Sequence, residues 1–223
     1  MSPRPTSKGE KPPFQPFHRH KFAAQGGSND GISANARGKI LKTLTILRHA
    51  KSGWDVQVER DFDRPINKRG ARGAEIVGQW LKRQKLPVDR IIASPAVRVT
   101  ETLDIFQPAA DLDTIEPHWD RRIYLASAAT LIDVIRDTGR DAKHLLISGH
   151  NPGLEDLILM LVPETSGDEL RAEVEEKLPT SALARLELDI ADWHELDTGM
   201  ARFAAFIRPR DLDPTLAPAM DHD

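Results

Sequence analysis

Three short apolar runs in this chain each end on a residue able to carry or attract charge, and that placement constrains the fold more than any compositional figure. KTLTILR runs from Lys42 into Arg48 and His49, RIIAS from Arg90 to Ser94, and HLLISGH from His144 to His150. Between them the apolar residues recur at helical spacing, so strands alternate with helices and a largely parallel sheet is expected. Two later runs, ALARLELDI (182–190) and ARFAAFIR (201–208), are separated by a short polar, glycine-containing connection and predict a hairpin completing the sheet.

The helices carry readable start signals. Ala74, Val77 and Leu81 share one face of a helix expected to begin near Asn67. Val99, Leu103 and Phe106 share a face of a second, with Ser94 as its expected N-cap and Pro95 as its first residue. Ser127 is the expected cap of a third, with Leu131, Val134 and Ile135 inward. Asn151 and Pro152 are expected to cap and open a fourth, with Leu154, Leu157, Ile158 and Leu161 as its apolar stripe and Glu155 and Asp156 in the dipole-favoured first turn. The Glu-rich stretch 166–177 reads as a solvated helix without chemistry.

A length of 223 residues suits one core, and a net charge of −3 argues against a general binder of nucleic acid or anionic membrane. With no cysteine, disulfides, thiolate metal sites and cysteine nucleophiles are excluded. No stretch approaches the roughly 18 apolar residues of a membrane span, and a cytoplasmic protein is expected. Residues 1–40 are basic and rich in Pro, Gly and Ser, which predicts a disordered tail whose His18 and His20 are merely solvated. The expected domain covers 41–210, followed by a flexible tail at 211–223. The expected fold is one three-layer α/β domain, a mainly parallel central sheet flanked by helices.

In a parallel α/β sheet the carboxyl ends of the strands lie along one edge, where ligands bind. That edge would collect Arg48, His49 and His150, with Arg98 one helical turn beyond Ser94. Such a cluster calls for an anion, and guanidinium forks match phosphate oxygens bidentately. Fixed cations can neutralise a transferring phosphoryl group, so no metal or cofactor is expected. His49 is the candidate nucleophile, its imidazole kept neutral by the arginines beside it. His150, when protonated, would bind the phosphate with Arg48 and Arg98.

These motifs resemble the histidine phosphatase superfamily of phosphoglycerate mutase-like fold, and within it the SixA-like phosphohistidine phosphatases. The resemblance rests on RHAKSGWD (48–55), DFDRPINKRGARGA (61–74), SPAVRVTET (94–102) and SGHNPGLEDL (148–157). It implies His49 and His150, with Arg48 and Arg98, as catalytic residues, and Ser52 as a further phosphate contact. Two departures stand out. Ala50 occupies a position that is glycine in most members, and Asp55 one that is asparagine in many. The resemblance also implies a glutamate general acid between the second arginine and the second histidine, yet nothing around Glu116 in EPHWDRRIYLAS matches that motif. Asp120 and Asp55 are the remaining candidates for a proton donor. An ester needs such a donor and phosphohistidine needs it far less. The expected function is therefore metal-independent removal of phosphate from phosphohistidine on a partner protein. The alternatives are a phosphatase of small phosphate esters or phosphoserine/threonine, and a non-catalytic phosphate-binding module.

Overall fold

The computed structural model describes residues 42–53, 58–164 and 169–217. Six strands form one sheet: β1 (Lys42–Arg48), β2 (Arg90–Ala93), β3 (His118–Trp119), β4 (His144–Gly149), β5 (Leu183–Leu188) and β6 (Ala201–Ile207), in the order β3-β2-β4-β1-β5-β6. β1, β4, β2 and β3 run parallel, while β5 lies antiparallel to β1 and β6 antiparallel to β5. The expected hairpin thus completes the sheet on one side. The two-residue β3 on the opposite edge was not anticipated, because so short a pairing leaves no periodic signal.

Alternation along the strands fills two layers of core. From β1 and β4, Leu44, Ile46, Leu145 and Ile147 point to the layer of α3 (Ala128–Thr138) and α4 (Gly153–Leu161). Leu47, Leu146, Ile91 and Ala93 point to the layer of α1 (Lys68–Arg83) and α2 (Val97–Ala110). Burial on both faces is why these runs are continuously apolar. Arg185 of β5 is an exception. Buried with 4% exposure, it donates to the hydroxyls of Thr43 (2.9 Å) and Thr45 (2.8 Å) on β1 and to the Pro87 carbonyl (3.1 Å).

Two of the expected caps form. The Asn67 side chain accepts from Gly70 N at the start of α1, and the Ser127 side chain from Thr130 N at the start of α3. The other two do not. α2 begins at Val97 after Ala96, because the Ser94 hydroxyl accepts from Ala96 N (3.3 Å) in a local turn that stops short of the helix. α4 begins at Gly153, and Asn151 turns its amide N–H groups, not its carbonyl oxygen, toward Glu155 (2.9 Å) and the Leu178 carbonyl (3.1 Å). In the Glu-rich stretch, α5 (Glu169–Glu176) buries Val174.

The sequence boundary at 210 falls inside folded chain. α6 (Pro209–Leu212) and the turn Pro214–Leu216 lie against the α1–α2 layer, where Leu212 and Leu216 meet its core, and Arg69 of α1 donates to the carbonyls of Leu216 (2.6 Å) and Ala217 (2.7 Å). The expected N-terminal tail, 1–40, and residues 218–223 lie outside the described residues. Among the described residues no helix is long and apolar enough to cross a membrane.

The register of the parallel strands sets where the polar ends meet. Arg48 pairs with Gly149 and Ala93 with Ser148, so His49, His150 and Ser94 emerge at the same edge. His49 N donates to Gly149 O (3.1 Å) and Ser94 N to Ser148 O (3.1 Å), which continues the ladder past the strand ends. Just beyond, Gly153 opens α4 in close contact with the Ala126 carbonyl, and a Cβ there would collide with that backbone oxygen. Gly153→Ala is expected to destabilise the protein by about 1–3 kcal/mol, seen as a lower urea midpoint, and to lower activity by displacing His150.

Candidate active site

His49 is buried, with 6% exposure, at the end of β1. Its Nδ1 lies 2.8 Å from the Ala50 carbonyl, which can only accept, so Nδ1 carries the hydrogen and Nε2 keeps its lone pair. Burial, with Arg48, Arg98 and Arg64 behind it, lowers the pKa to about 4 against the opposing pull of that carbonyl. The imidazole is neutral near pH 7, as a nucleophile requires. Ala50 N donates to Thr102 Oγ1 (2.8 Å), and Thr102 in turn donates to the Arg98 carbonyl, tying this loop to α2. Ala50 is fully buried and does not adopt a positive φ, so the methyl group at this position is accommodated without strain.

Arg98, on the first turn of α2, is buried and donates to the Asp61 carbonyl (2.7 Å) and to Asp61 Oδ2 (3.0 Å). Arg48 donates from Nη1 to the Leu178 carbonyl (2.6 Å). The Nε groups of both arginines are buried without a hydrogen-bond partner among the described residues. Arg64 joins them, 3.3 Å from Asp61 Oδ1.

The sequence reading has His150 bind phosphate when protonated. Burial first, then Arg98 and His49, push its pKa down to about 3, so the group is neutral in the ligand-free protein. Its Nε2 lies 2.9 Å from Ser94 Oγ, the hydroxyl that does not cap α2. Nδ1 is buried and unpartnered among the described residues. The two imidazole rings stand 5.3 Å apart, and Tyr124 meets His150 edge-on at 5.3 Å. Without a ligand the cluster is therefore a group of arginines around two neutral histidines.

Ser52 also lines this cavity of about 360 Å³, together with Arg48, His49, Arg64, Arg98 and His150. Asp61 is the one carboxylate among the described lining residues. Burial works to raise its pKa, but the Tyr124 hydroxyl (3.0 Å), Arg98 and Arg64 outweigh it and hold the group ionised. Asp120 does not line the cavity. It forms an ion pair with Arg122 (2.7 Å) and accepts from Arg122 N, contacts that lower its pKa and remove it as a proton donor. Asp55 lies outside the described residues, and Glu116 is exposed and away from the cavity.

Sequence reasoning missed Asp61, Arg64 and Tyr124. The polar stretch before α1 and the single tyrosine of the chain were the available signals. It also read Glu155 only as a dipole-favoured residue. Glu155 Oε2 accepts from Leu178 N (2.9 Å) and Asn151 Nδ2 (2.9 Å), and so fixes the backbone whose carbonyl holds Arg48. Ser181 N reaches the carbonyls of Arg48 (3.2 Å) and His49 (3.1 Å), so the same segment buttresses the end of β1.

Residues 44–122 match the histidine phosphatase superfamily (branch 1). An uncharacterized protein of Mycobacterium tuberculosis is 33% identical over 168 residues, covering 74% of this chain and 100% of the relative. The phosphohistidine phosphatase SixA homolog of Haemophilus influenzae is 30% identical over 128 residues, 53% of this chain and 76% of the relative. The crystal structure of the SixA protein from Agrobacterium tumefaciens superimposes with a TM-score of 0.62 at 28% identity, over 75% of this chain and 98% of that one. The chain belongs to the histidine phosphatase superfamily. It is a phosphatase with the phosphoglycerate mutase-like fold.

Glu155→Ala removes the brace behind Arg48. The variant is expected to stay folded and to bind inorganic phosphate about tenfold more weakly, a loss of roughly 1.4 kcal/mol, as measured by calorimetric titration.

Proposed function

We propose that the protein removes phosphate from phosphohistidine on a partner protein, with His49 as nucleophile and Arg48, Arg64, Arg98, Ser52 and His150 holding the phosphoryl group. The observation that carries this reading is the carboxylate inventory. Asp61 is the one acid among the described lining residues, and it is held ionised between two arginines and a tyrosine. Cleavage of an ester expels an alkoxide, for which a general acid contributes roughly 10²–10⁴ in rate. Imidazole is a much better leaving group, so phosphohistidine suits a site without that acid. The names of SixA relatives point to the same substrate class.

In this mechanism His49 Nε2 attacks phosphorus in line, and the P–N bond of a phosphohistidine protonated on its other ring nitrogen breaks, its electron pair going to the departing neutral imidazole. Arginine N–H groups meet the equatorial oxygens, where fixed donors cost no reorganisation as charge shifts. A bound phosphate dianion favours the protonated form of His150, so this neutral group gains a proton when a ligand arrives. Water then attacks the phosphorylated His49, the new P–N bond breaks, and orthophosphate leaves with a proton released to solvent.

Rapid acid-free quenching during turnover of a labelled phosphohistidine protein should trap a base-stable, acid-labile phosphoenzyme that is missing in His49→Ala. Full activity in that variant would refute the mechanism. A preference for phosphohistidine over a matched phosphoserine substrate is also required, and equal rates would remove the leaving-group reading.

The pH dependence follows from the neutral state of His49. Acid protonates Nε2 and removes the nucleophile, so kcat/KM should stay level below the ordinary histidine range and fall as pH drops through about 4. An acid limb centred at the ordinary value of about 6.5 would show that His49 is not shielded as described.

A further inference from the structure

A second cavity shares part of its wall with the first. Its volume is about 490 Å³, and it shares Arg48, Lys51 and Thr180 with the nucleophile's cavity. It runs between the start of α1, the 177–181 segment and α6, and adds Arg69, Lys177, Arg208 and Arg210 to its walls. Among the described residues no carboxylate lines it.

Some of that charge is already committed. Arg69 holds the carbonyls of Leu216 and Ala217, and Arg208 pairs with Asp211 (2.9 Å) and Glu173 (3.0 Å). Lys51, Lys177 and Arg210 form no ion pair among the described residues and are exposed. Three uncompensated cations beside a phosphoryl-transfer site, in a protein of net charge −3, mark a compartment for a second anionic group of the substrate.

Its position has a chemical consequence. The residues the two cavities share include Arg48, assigned above to the phosphoryl group, so a substrate held by that arginine can extend its leaving group along the shared wall into the second compartment. A leaving group that is itself a phosphate needs charge neutralisation rather than a proton, and that is what a wall of lysines and arginines supplies. We infer that the enzyme also hydrolyses the terminal phosphoanhydride of small organic diphosphates, the inner phosphate seated among Lys51, Lys177 and Arg210.

The step balances without a general acid. His49 Nε2 bonds to the terminal phosphorus, the P–O anhydride bond breaks, and its electron pair stays on the bridging oxygen of the departing monoester. Water then cleaves phosphorylated His49 to orthophosphate, and one proton passes to solvent. The inference shares the His49 nucleophile with the phosphohistidine reading but not its substrate.

The test compares the full chain on ADP, AMP and phosphoramidate, following phosphate release. Hydrolysis of ADP to AMP and phosphate, with AMP itself scarcely cleaved, is expected. In Lys177→Glu/Arg210→Glu the ratio of kcat/KM for ADP to that for phosphoramidate should fall about tenfold or more, through loss of two attractive charges and gain of two repulsive ones. Turnover of phosphoramidate with none of ADP would overturn the inference and leave the phosphohistidine reading standing. An unchanged ratio in the double variant would overturn the assignment of the second compartment. Turnover of ADP without that of phosphoramidate or phosphohistidine would instead retire the phosphohistidine reading alone, and loss of every activity would remove both.

Discussion

Positive charge held out of water at one edge of a sheet is the constraint on which the rest of this structure depends. Arg48 and Arg98 are drawn into the protein, and Arg64 stands close enough to act on the same imidazole. Asp61 is the single carboxylate facing them among the described lining residues, so the compensation is partial. Burying a charge costs several kcal/mol when it is not well paired. Carbonyl oxygens offset part of that cost, with those of Leu178 and Asp61 each taking a guanidinium hydrogen. The remainder is an appetite for an anion, and it adds to burial, the larger cause, in keeping both histidines neutral. The same arginines thus favour an anion and reinforce the neutral state of His49.

The same constraint explains the attention given to backbone around the site. Each arginine is held through main-chain atoms of a distant segment, Arg48 by the stretch before β5 and Arg98 by the stretch before α1. Glu155 and Ser181 brace the first of these segments. Thr102 ties the second arginine's helix to the loop after His49. Phosphate oxygens are recognised to within a few tenths of an ångström, and flexible side chains reach that accuracy only when their anchors are rigid.

What the sequence made legible is what local rules govern. The strand runs and their order are periodic signals, and the rule that ligands gather at strand carboxyl ends brings Arg48, His49, Arg98 and His150 to one place, where the structure also has them. Ser94 was visible, but its hydroxyl had two uses on offer, a helix cap and a histidine partner, and only packing chooses between them. Asp61, Arg64 and Tyr124 lie on connections whose approach to the site depends on how α1 and α2 settle on the sheet, a non-local outcome with no periodic trace. The sequence leaves the protonation state of His150 open for a related reason. Its pKa reports burial and neighbouring charge in the folded state, and neither is written in residues 148–157. The C-terminal boundary failed because Leu212 and Leu216 are too few to form a recognisable pattern, although they suffice to pack on a finished core.

Arg185 deserves a different kind of reading from the arginines of the site. Its guanidinium bridges two threonines two residues apart on β1, from a strand that runs the other way. A slip of one residue in that pairing would swing the guanidinium to the opposite face of the sheet, among Leu44, Ile46 and the apolar residues of α3 and α4, where no hydroxyl is in place to receive it. The charge therefore acts as a vernier mark, penalising any misaligned closure of the hairpin onto β1. Since the segment leading into β5 carries Leu178 and Ser181, an error there would be copied directly into the placement of Arg48 and His49.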